Sequence, residues 1–481
     1  MSHFEKYKRL IKLSFAAALV LVMSAVYGYI WINYYNRIIW APFWRRGNWM
    51  MIFIYTLLLV FFNYIYGGFR IGVLERGNLI YSQIISLFAT NFITYLQITV
   101  QDKRFTTFMP LLANFAVSAA LTVFFTYLFS QWYRRIFPPR KLLLVYGEHY
   151  DYHLMEKMNS REDKYQIVAR EHYLDVFQRM RDIAPKYDGV IVGDIPSHER
   201  NRIIKDCFSL GVRTYSVPKI SDILLRSSVE LNLFDSPLLL SRNNGLQIEE
   251  EFGKRLMDIT LSVIGLIISS PAFLIFAISI KLTDRGPVFY RQKRLTKDGK
   301  VFQILKFRTM VVDAEKIGGP QLATEHDPRI LRVGRVLRST RLDELPQLLN
   351  ILKGEMSLVG PRPERPEIAA EIEKQIPEFR YRLKVKAGLT GYAQVYGKYS
   401  TTFYDKLKLD LTYIRNYSIL LDLKLIAMTP KIMFSKEASE GISQETEKPT
   451  EEKIRGARTR KRNGDSGPAG AAKEKAQEQD S

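Results

Sequence analysis

A chain of 481 residues exceeds one ordinary domain, so several folded units are expected. Its 70 Lys and Arg against 49 Asp and Glu leave a net charge of +21, which points to an anionic partner such as lipid, phosphate or nucleic acid. A single cysteine, Cys207, excludes an intrachain disulfide framework and reads as a small apolar filler, and the six scattered histidines form no zinc-type Cys/His cluster.

The first third is organised as a membrane α-helical bundle (1–136), which decides against nucleic acid as the partner. Four apolar runs, Ile11–Tyr29, Met50–Tyr66, Leu79–Val100 and Phe108–Ser130, each approach the ~20 residues that cross a bilayer as a helix. The first is too long for a removed signal peptide and lacks a small-residue cleavage site. Tyr27, Tyr29, Trp31, Tyr34, Tyr35 and Trp40 cluster at its exit, as interfacial aromatics do. Cations are densest at the N-terminus (Lys6, Lys8, Arg9, Lys12) and after the fourth run (Arg134, Arg135, Arg140, Lys141), with Arg70 and Arg76 in the middle loop. Against them stand Arg37, Arg45 and Arg46 in the first loop and Lys103 and Arg104 in the third. The balance places both ends of the bundle inside.

A soluble α/β pattern occupies 140–245. Leu142–Val145, Gly189–Gly193 and Val212–Val217 read as strands separated by helical stretches, the signature of parallel βαβ units and a Rossmann-like domain. The first turn, Val145-Tyr-Gly147-Glu-His-Tyr, lacks the glycines of G-x-G-x-x-G. The domain is therefore read as degenerate for nucleotide, serving assembly or regulation.

A fifth apolar segment, 251–281, carries Ser269-Ser270-Pro271 at its centre. Proline within a helix removes a hydrogen bond and kinks the chain. A full crossing would carry the basic C-terminal half to the outside. A break at Ser270 and Pro271, with return to the entry face, keeps it inside. The tail, 436–481, is polar, includes the basic run Arg455–Arg462, and cannot bury a core.

The chemistry lies in 282–435. Arg338-Ser-Thr-Arg341-Leu-Asp343-Glu344-Leu-Pro346-Gln347 sets two adjacent carboxylates among cations, just ahead of a helix that Pro346 can start. Acids there meet the positive end of the helix dipole, which favours ionisation by roughly 0.3–1 kcal/mol. One can attack phosphorus while the other holds a metal ion. On the dyad alone, two first-turn acids that merely complement the dipole would serve as well. Upstream, Ile304-Leu305-Lys306-Phe307-Arg308 alternates apolar and basic residues, so Lys306 and Arg308 share a strand face. Downstream, Gly360-Pro361-Arg362-Pro363 holds Arg362 between two fixed φ angles. Ala387-Gly388-Leu389-Thr390-Gly391-Tyr392-Ala393-Gln394-Val395 follows, then Asp422 at a helix start.

In order and spacing these motifs resemble the catalytic domain of the bacterial sugar transferases that load a phosphosugar onto a polyprenyl phosphate, from about Phe252 to Phe434. The chain departs in having Lys386-Ala387 where that family has Arg-Pro, and Tyr392 where it has Trp. The resemblance implies a monotopic α/β catalytic domain with a re-entrant membrane helix, in the bacterial inner membrane, with its catalytic half in the cytoplasm. It implies Asp343 as nucleophile and Glu344 as the ligand of Mg²⁺. Lys306, Arg308, Arg338, Arg341, Arg362, Thr390, Gln394 and Asp422 become substrate or phosphate contacts. The implied donor is a UDP-sugar, with glucose or galactose favoured; the acceptor is undecaprenyl phosphate, and the product starts a capsule, exopolysaccharide or O-antigen. A homodimer in contact with membrane lipids is expected. Two other classes compete. A membrane-anchored nucleotide-sugar dehydratase or epimerase could use Tyr404-x-x-x-Lys408, though no G-x-G-x-x-G precedes it. An inactive scaffold is opposed by the intact dyad.

Overall fold

The computed structural model describes residues 3–147, 152–177, 179–231, 235–241, 245–312, 327, 329–397 and 401–433. The tail from 436, with its basic run, lies outside them. Four apolar helices come first: α1 (Lys8–Ile30), α2 (Arg45–Tyr66), α3 (Arg76–Asp102) and α4 (Met109–Ile136), each long and apolar enough to cross a membrane. Large side chains such as Met23, Tyr27, Trp31, Tyr55 and Leu59 pack the bundle core, and buried polar side chains add hydrogen bonds between helices. Asn114 on α4 donates to Asn91 Oδ1 on α3 at 2.8 Å and to the Tyr55 hydroxyl on α2 at 3.1 Å. Thr126 on α4 donates to Gln83 on α3 at 2.9 Å.

The start of α1, the loop between α2 and α3, and the exit of α4 meet the α/β part of the chain on one face. Glu5 accepts from Arg140 and Arg213, each at 2.8 Å, and Arg161 donates to the Val73 carbonyl at 2.7 Å. The two ends of the four-helix unit therefore lie at the same end of the bundle.

Beyond α4 lies a four-stranded parallel sheet of β1 (Arg140–Tyr146), β2 (Tyr165–His172), β3 (Gly189–Val192) and β4 (Arg213–Ser216), in the order β2-β1-β3-β4. Helices α5 (Tyr152–Asn159) and α6 (Ser197–Ser209) form crossovers. The predicted strands are all present, and β2 is additional. In this order β1 lies between β2 and β3, whereas the dinucleotide-binding order 3-2-1-4 places it between β2 and β4. Cys207 is fully buried beneath the sheet, as an apolar filler should be.

Helix α7 (Ile248–Asp284) carries the fifth apolar segment as one continuous helix. The expected break at Ser270-Pro271 does not interrupt it, and the reason is local. The amide missing at Pro271 would have donated to the Ile267 carbonyl. Ser270 Oγ donates to that same carbonyl at 2.8 Å, so the adjacent serine replaces the lost bond. Both arms of α7 pack on the domain that follows. Asp258 accepts from Leu358 N, and the Phe273 ring lies tilted against Phe307 with centroids 4.7 Å apart.

That domain opens with the antiparallel pair β5 (Phe289–Leu295) and β6 (Val301–Phe307). It continues through α8 (Arg332–Ser339), α9 (Gln347–Lys353), the parallel pair β7 (Ser357–Val359) and β8 (Gly388–Thr390), α10 (Phe403–Arg415) and α11 (Ile419–Met433). Ile351, Met356, Val359, Leu407, Leu411 and Leu425 form its core, each supplying about 1.5–3 kcal/mol of burial.

Candidate active site

Helix α9 begins at Gln347, with Pro346 in the N-cap position. The dyad stands one turn earlier, on the 3₁₀ turn Leu342–Glu344, rather than within the helix. Arg341 enters that turn with φ of 58°, in the left-handed region a non-glycine residue rarely occupies. This bends the chain between α8 and the dyad and turns the two carboxylates into different surroundings. Strain of this kind persists only where neighbours hold it, and it concentrates at functional sites.

Glu344 is buried and doubly held: Lys306 Nζ donates to Oε1 at 2.8 Å and Arg362 Nη2 to the same oxygen at 3.2 Å. Burial alone would push its carboxyl up, but the Lys306 ammonium and Arg362 guanidinium outweigh it and hold Glu344 far below the usual carboxylate range. Asp343 is half-buried. Among the described residues no hydrogen bond or ion pair engages its carboxylate. Burial first, and the Glu344 charge second, push its pKa up, with Lys306, Arg338 and Arg341 offsetting part of the rise. The two carboxylates thus stand in unlike surroundings: Glu344 is tied by two cations, and Asp343 by none among the described residues. One carboxylate is a fixed anion; its neighbour is unclaimed and more basic.

The partners are positioned by backbone ties. Lys306 lies on β6 opposite Tyr290, and Asn350 on α9 locks that strand by accepting from Leu305 N at 2.9 Å and donating to Gln303 O at 2.8 Å. Arg362 follows β7, and Arg382 donates to its carbonyl at 2.9 Å. The glycines of the two downstream motifs exist for a close backbone crossing. A Cβ on Gly388 would lie 2.0 Å from Gly360 N, and one on Gly391 2.1 Å from Gly360 O. The Gly-Pro-Arg-Pro loop and the Gly-Leu-Thr-Gly loop can therefore only touch as glycine against glycine.

The other predicted residues divide. Arg338, in the last turn of α8, and Arg341 act on the Asp343 charge. Thr390 is buried and accepts from Thr429 Oγ1 at 2.8 Å, while Gln394 donates to Leu389 O at 3.2 Å; neither is tied to the dyad among the described residues. Arg308 does not share a site with Lys306. It stands one residue past β6 and forks onto the Asp284 carboxylate at the end of α7 and onto Pro287 O. There it clamps the end of α7 to the domain. Asp422 is fully buried, accepting from Lys254 Nζ at 2.5 Å and the Tyr413 hydroxyl at 2.8 Å, so its charge is spent within the fold. Ser270 and Pro271 lie mid-α7.

Three positioning residues were not anticipated. Arg255 donates to the last carbonyls of α9, Ile351 O at 2.6 Å and Leu352 O at 2.7 Å. Asp258 accepts from Leu358 N at 2.9 Å, and Lys254 holds Asp422. Their signal was present as Lys254-Arg255-Leu-Met-Asp258, one polar face at i, i+1 and i+4 that is easily taken for a membrane-flanking charge cluster.

Residues 249–436 match the model of the family described as bacterial sugar transferase. A Bacillus subtilis (strain 168) protein named as an undecaprenyl-phosphate N-acetylgalactosaminyl 1-phosphate transferase is 49% identical over 130 residues, which is 27% of this chain and 72% of that protein. A UDP-glucose:undecaprenyl-phosphate glucose-1-phosphate transferase of Klebsiella pneumoniae is 41% identical over 253 residues, 49% of this chain and 52% of its own. A UDP-N-acetylgalactosamine-undecaprenyl-phosphate N-acetylgalactosaminephosphotransferase of Aeromonas hydrophila is 36% identical over 260 residues, 51% and 59% respectively. The chain thus spans between half and three-fifths of the length of these last two relatives. With the motifs, the dyad and its cations all inside the matched region, the chain belongs to the bacterial sugar transferase family.

Proposed function

We propose that this protein transfers a sugar 1-phosphate from a UDP-sugar to undecaprenyl phosphate at the inner face of the bacterial cytoplasmic membrane, starting a surface polysaccharide. The observation that carries the reading is the asymmetric dyad: Asp343 without a hydrogen bond or ion pair among the described residues, Glu344 anchored by Lys306 and Arg362. In the first half-reaction an Asp343 carboxylate oxygen attacks the β-phosphorus of the donor. A bond from aspartate to phosphorus forms, the bond to the bridging oxygen breaks, and UMP departs. In the second, an oxygen of undecaprenyl phosphate attacks the same phosphorus, giving the polyprenyl diphosphosugar and regenerating Asp343.

Lys306, Arg338, Arg341 and Arg362 supply the positive surroundings that two successive phosphate anions need. Among the described residues there is no group of three or more His, Cys, Asp or Glu that could cage a metal. Mg²⁺ is nonetheless commonly held by one or two carboxylates completed by substrate phosphates. Glu344 fits that pattern, because both cations sit on Oε1 and leave Oε2 without a partner among the described residues. When bound there, Mg²⁺ would neutralise charge on the diphosphate.

The finer architecture belongs to the same reading. The docking of both arms of α7 on one domain supports a re-entrant segment, one that turns back without the expected interruption at Ser270-Pro271. The parallel sheet supports a Rossmann-like module that serves assembly or regulation, and a homodimer is expected. The donor is a UDP-hexose, glucose or galactose, with N-acetylated sugars the alternative that the relatives' names raise. Purified Asp343→Asn, supplied with each UDP-sugar, Mg²⁺ and undecaprenyl phosphate, should release no UMP. Retained release, or a phosphosugar adduct on a peptide lacking residue 343, contradicts the assignment.

A further inference from the structure

One junction between the bundle and the matched domain takes no part in the chemistry above. Helix α2 ends at Gly67, whose φ is 81°, and its turn presents the Tyr66 carbonyl to α11. Lys431 takes that carbonyl at 3.2 Å and donates to Ser82 Oγ at 2.6 Å, while the Tyr81 hydroxyl donates to Lys431 O at 3.2 Å. Lys431 is thereby committed as a cation at the negative end of α2. Two turns earlier on α11, Lys424 Nζ stands over the Tyr64 ring at 5.4 Å. Arg70, exposed in the following loop, folds back over the helix end, its Cδ 3.3 Å from where a Cβ on Gly67 would stand.

Three cations therefore converge on one helix end, and among the described residues no carboxylate pairs with any of them. Burial first, and the Arg70 charge second, push the Lys424 and Lys431 ammonium groups below the ordinary lysine range. Like charges gathered without an acid repel unless an anion joins them. The apolar surroundings indicate which anion. Phe53, Leu57, Phe61 and Tyr64, spaced i, i+4, i+8 and i+11 on α2, are all exposed and form one apolar strip that leads to Lys424. An apolar strip ending in unpaired cations, with a tyrosine at the boundary, is complementary to an acyl chain ending in a phosphate.

We propose that Arg70 and Lys424 hold the headgroup phosphate of an anionic phospholipid whose chain lies along the Phe53, Leu57, Phe61 and Tyr64 face of α2, fastening the bundle to the matched domain. The inference rests on the membrane reading of α2 and not on the assigned nucleophile. The test uses the full chain, released from phosphatidylcholine nanodiscs carrying graded phosphatidylglycerol and weighed by native mass spectrometry. Phosphatidylglycerol should remain bound to the wild type. In Arg70→Gln/Lys424→Gln its apparent affinity should fall about 25-fold, about fivefold for each cation. Phosphatidylcholine retention should not change, and Arg70→Lys/Lys424→Arg should restore binding. Equal phosphatidylglycerol retention by wild type and double variant overturns the proposal. So does displacement of the lipid by millimolar inorganic phosphate, or retention of undecaprenyl phosphate alone. A chain that leaves the membrane fraction without detergent would instead defeat the membrane reading itself.

Discussion

Lys306 Nζ lies 2.8 Å from Glu344 Oε1, and this contact fixes which of two adjacent carboxylates is the permanent anion. Removing the ammonium as Lys306→Met leaves Glu344 buried with Arg362 alone, so its carboxyl rises towards protonation. UMP release should fall by about 10²-fold or more, the scale seen when one preorganised electrostatic partner is lost. Lys306→Arg should recover part of the loss. Single-turnover kinetics on the two variants are the check, and an unimpaired Lys306→Met would remove Lys306 from the site.

Asp343 predicts a pH signature. Its pKa is raised, by burial and then by the Glu344 charge, so the reactive carboxylate forms only at a higher pH than for a free aspartate. The rate of UMP release should climb with pH along an acid limb whose midpoint lies above the ordinary aspartate range. Arg338→Gln removes a cation that opposes the rise, so its limb should move further up. A limb at or below the ordinary range, or one that moves down in Arg338→Gln, would contradict this electrostatic picture.

Lys254 and Asp422 join the first arm of α7 to α11 through a fully enclosed ion pair. Lys254→Met should destabilise the protein by about 3–5 kcal/mol, because a lone carboxylate would remain buried. Lys254→Met/Asp422→Leu should regain most of that loss. Thermal unfolding in detergent measures the first expectation, and turnover of the double variant tests the role of Asp422. An acid that served substrate would leave the restored fold inactive.

The four apolar helices and three of the four parallel strands could be read from the chain because continuous apolar runs report burial directly. Strand β2 is not legible in the chain because exposed Val168 interrupts the alternation of the half-buried Tyr165, Ile167 and Ala169 with polar residues, and the strand lies at the sheet edge. At the site, Asp343, Glu344, Lys306 and Arg362 are brought together from three separate segments, as the motifs imply. Arg308 departs from the strand-face reading. Period-two alternation places it beside Lys306 only while the strand lasts, and β6 ends at Phe307. Asp422 is a substrate contact by resemblance, and its pairing with Lys254, 168 residues away, is not legible because no local pattern connects the two.

The hydroxyl of Ser270 and the missing amide of Pro271 address one acceptor, the Ile267 carbonyl, and that redundancy can be measured. Ser270→Ala leaves the carbonyl without either donor in an apolar setting, which should cost about 1–3 kcal/mol. Pro271→Ala returns the backbone N–H, so adding Ser270→Ala to it should cost almost nothing. The two substitutions should therefore be strongly non-additive in a double-mutant cycle read by thermal unfolding. Simple additivity would show that the serine does not replace the lost bond. The continuity of α7 through its proline would then need another cause.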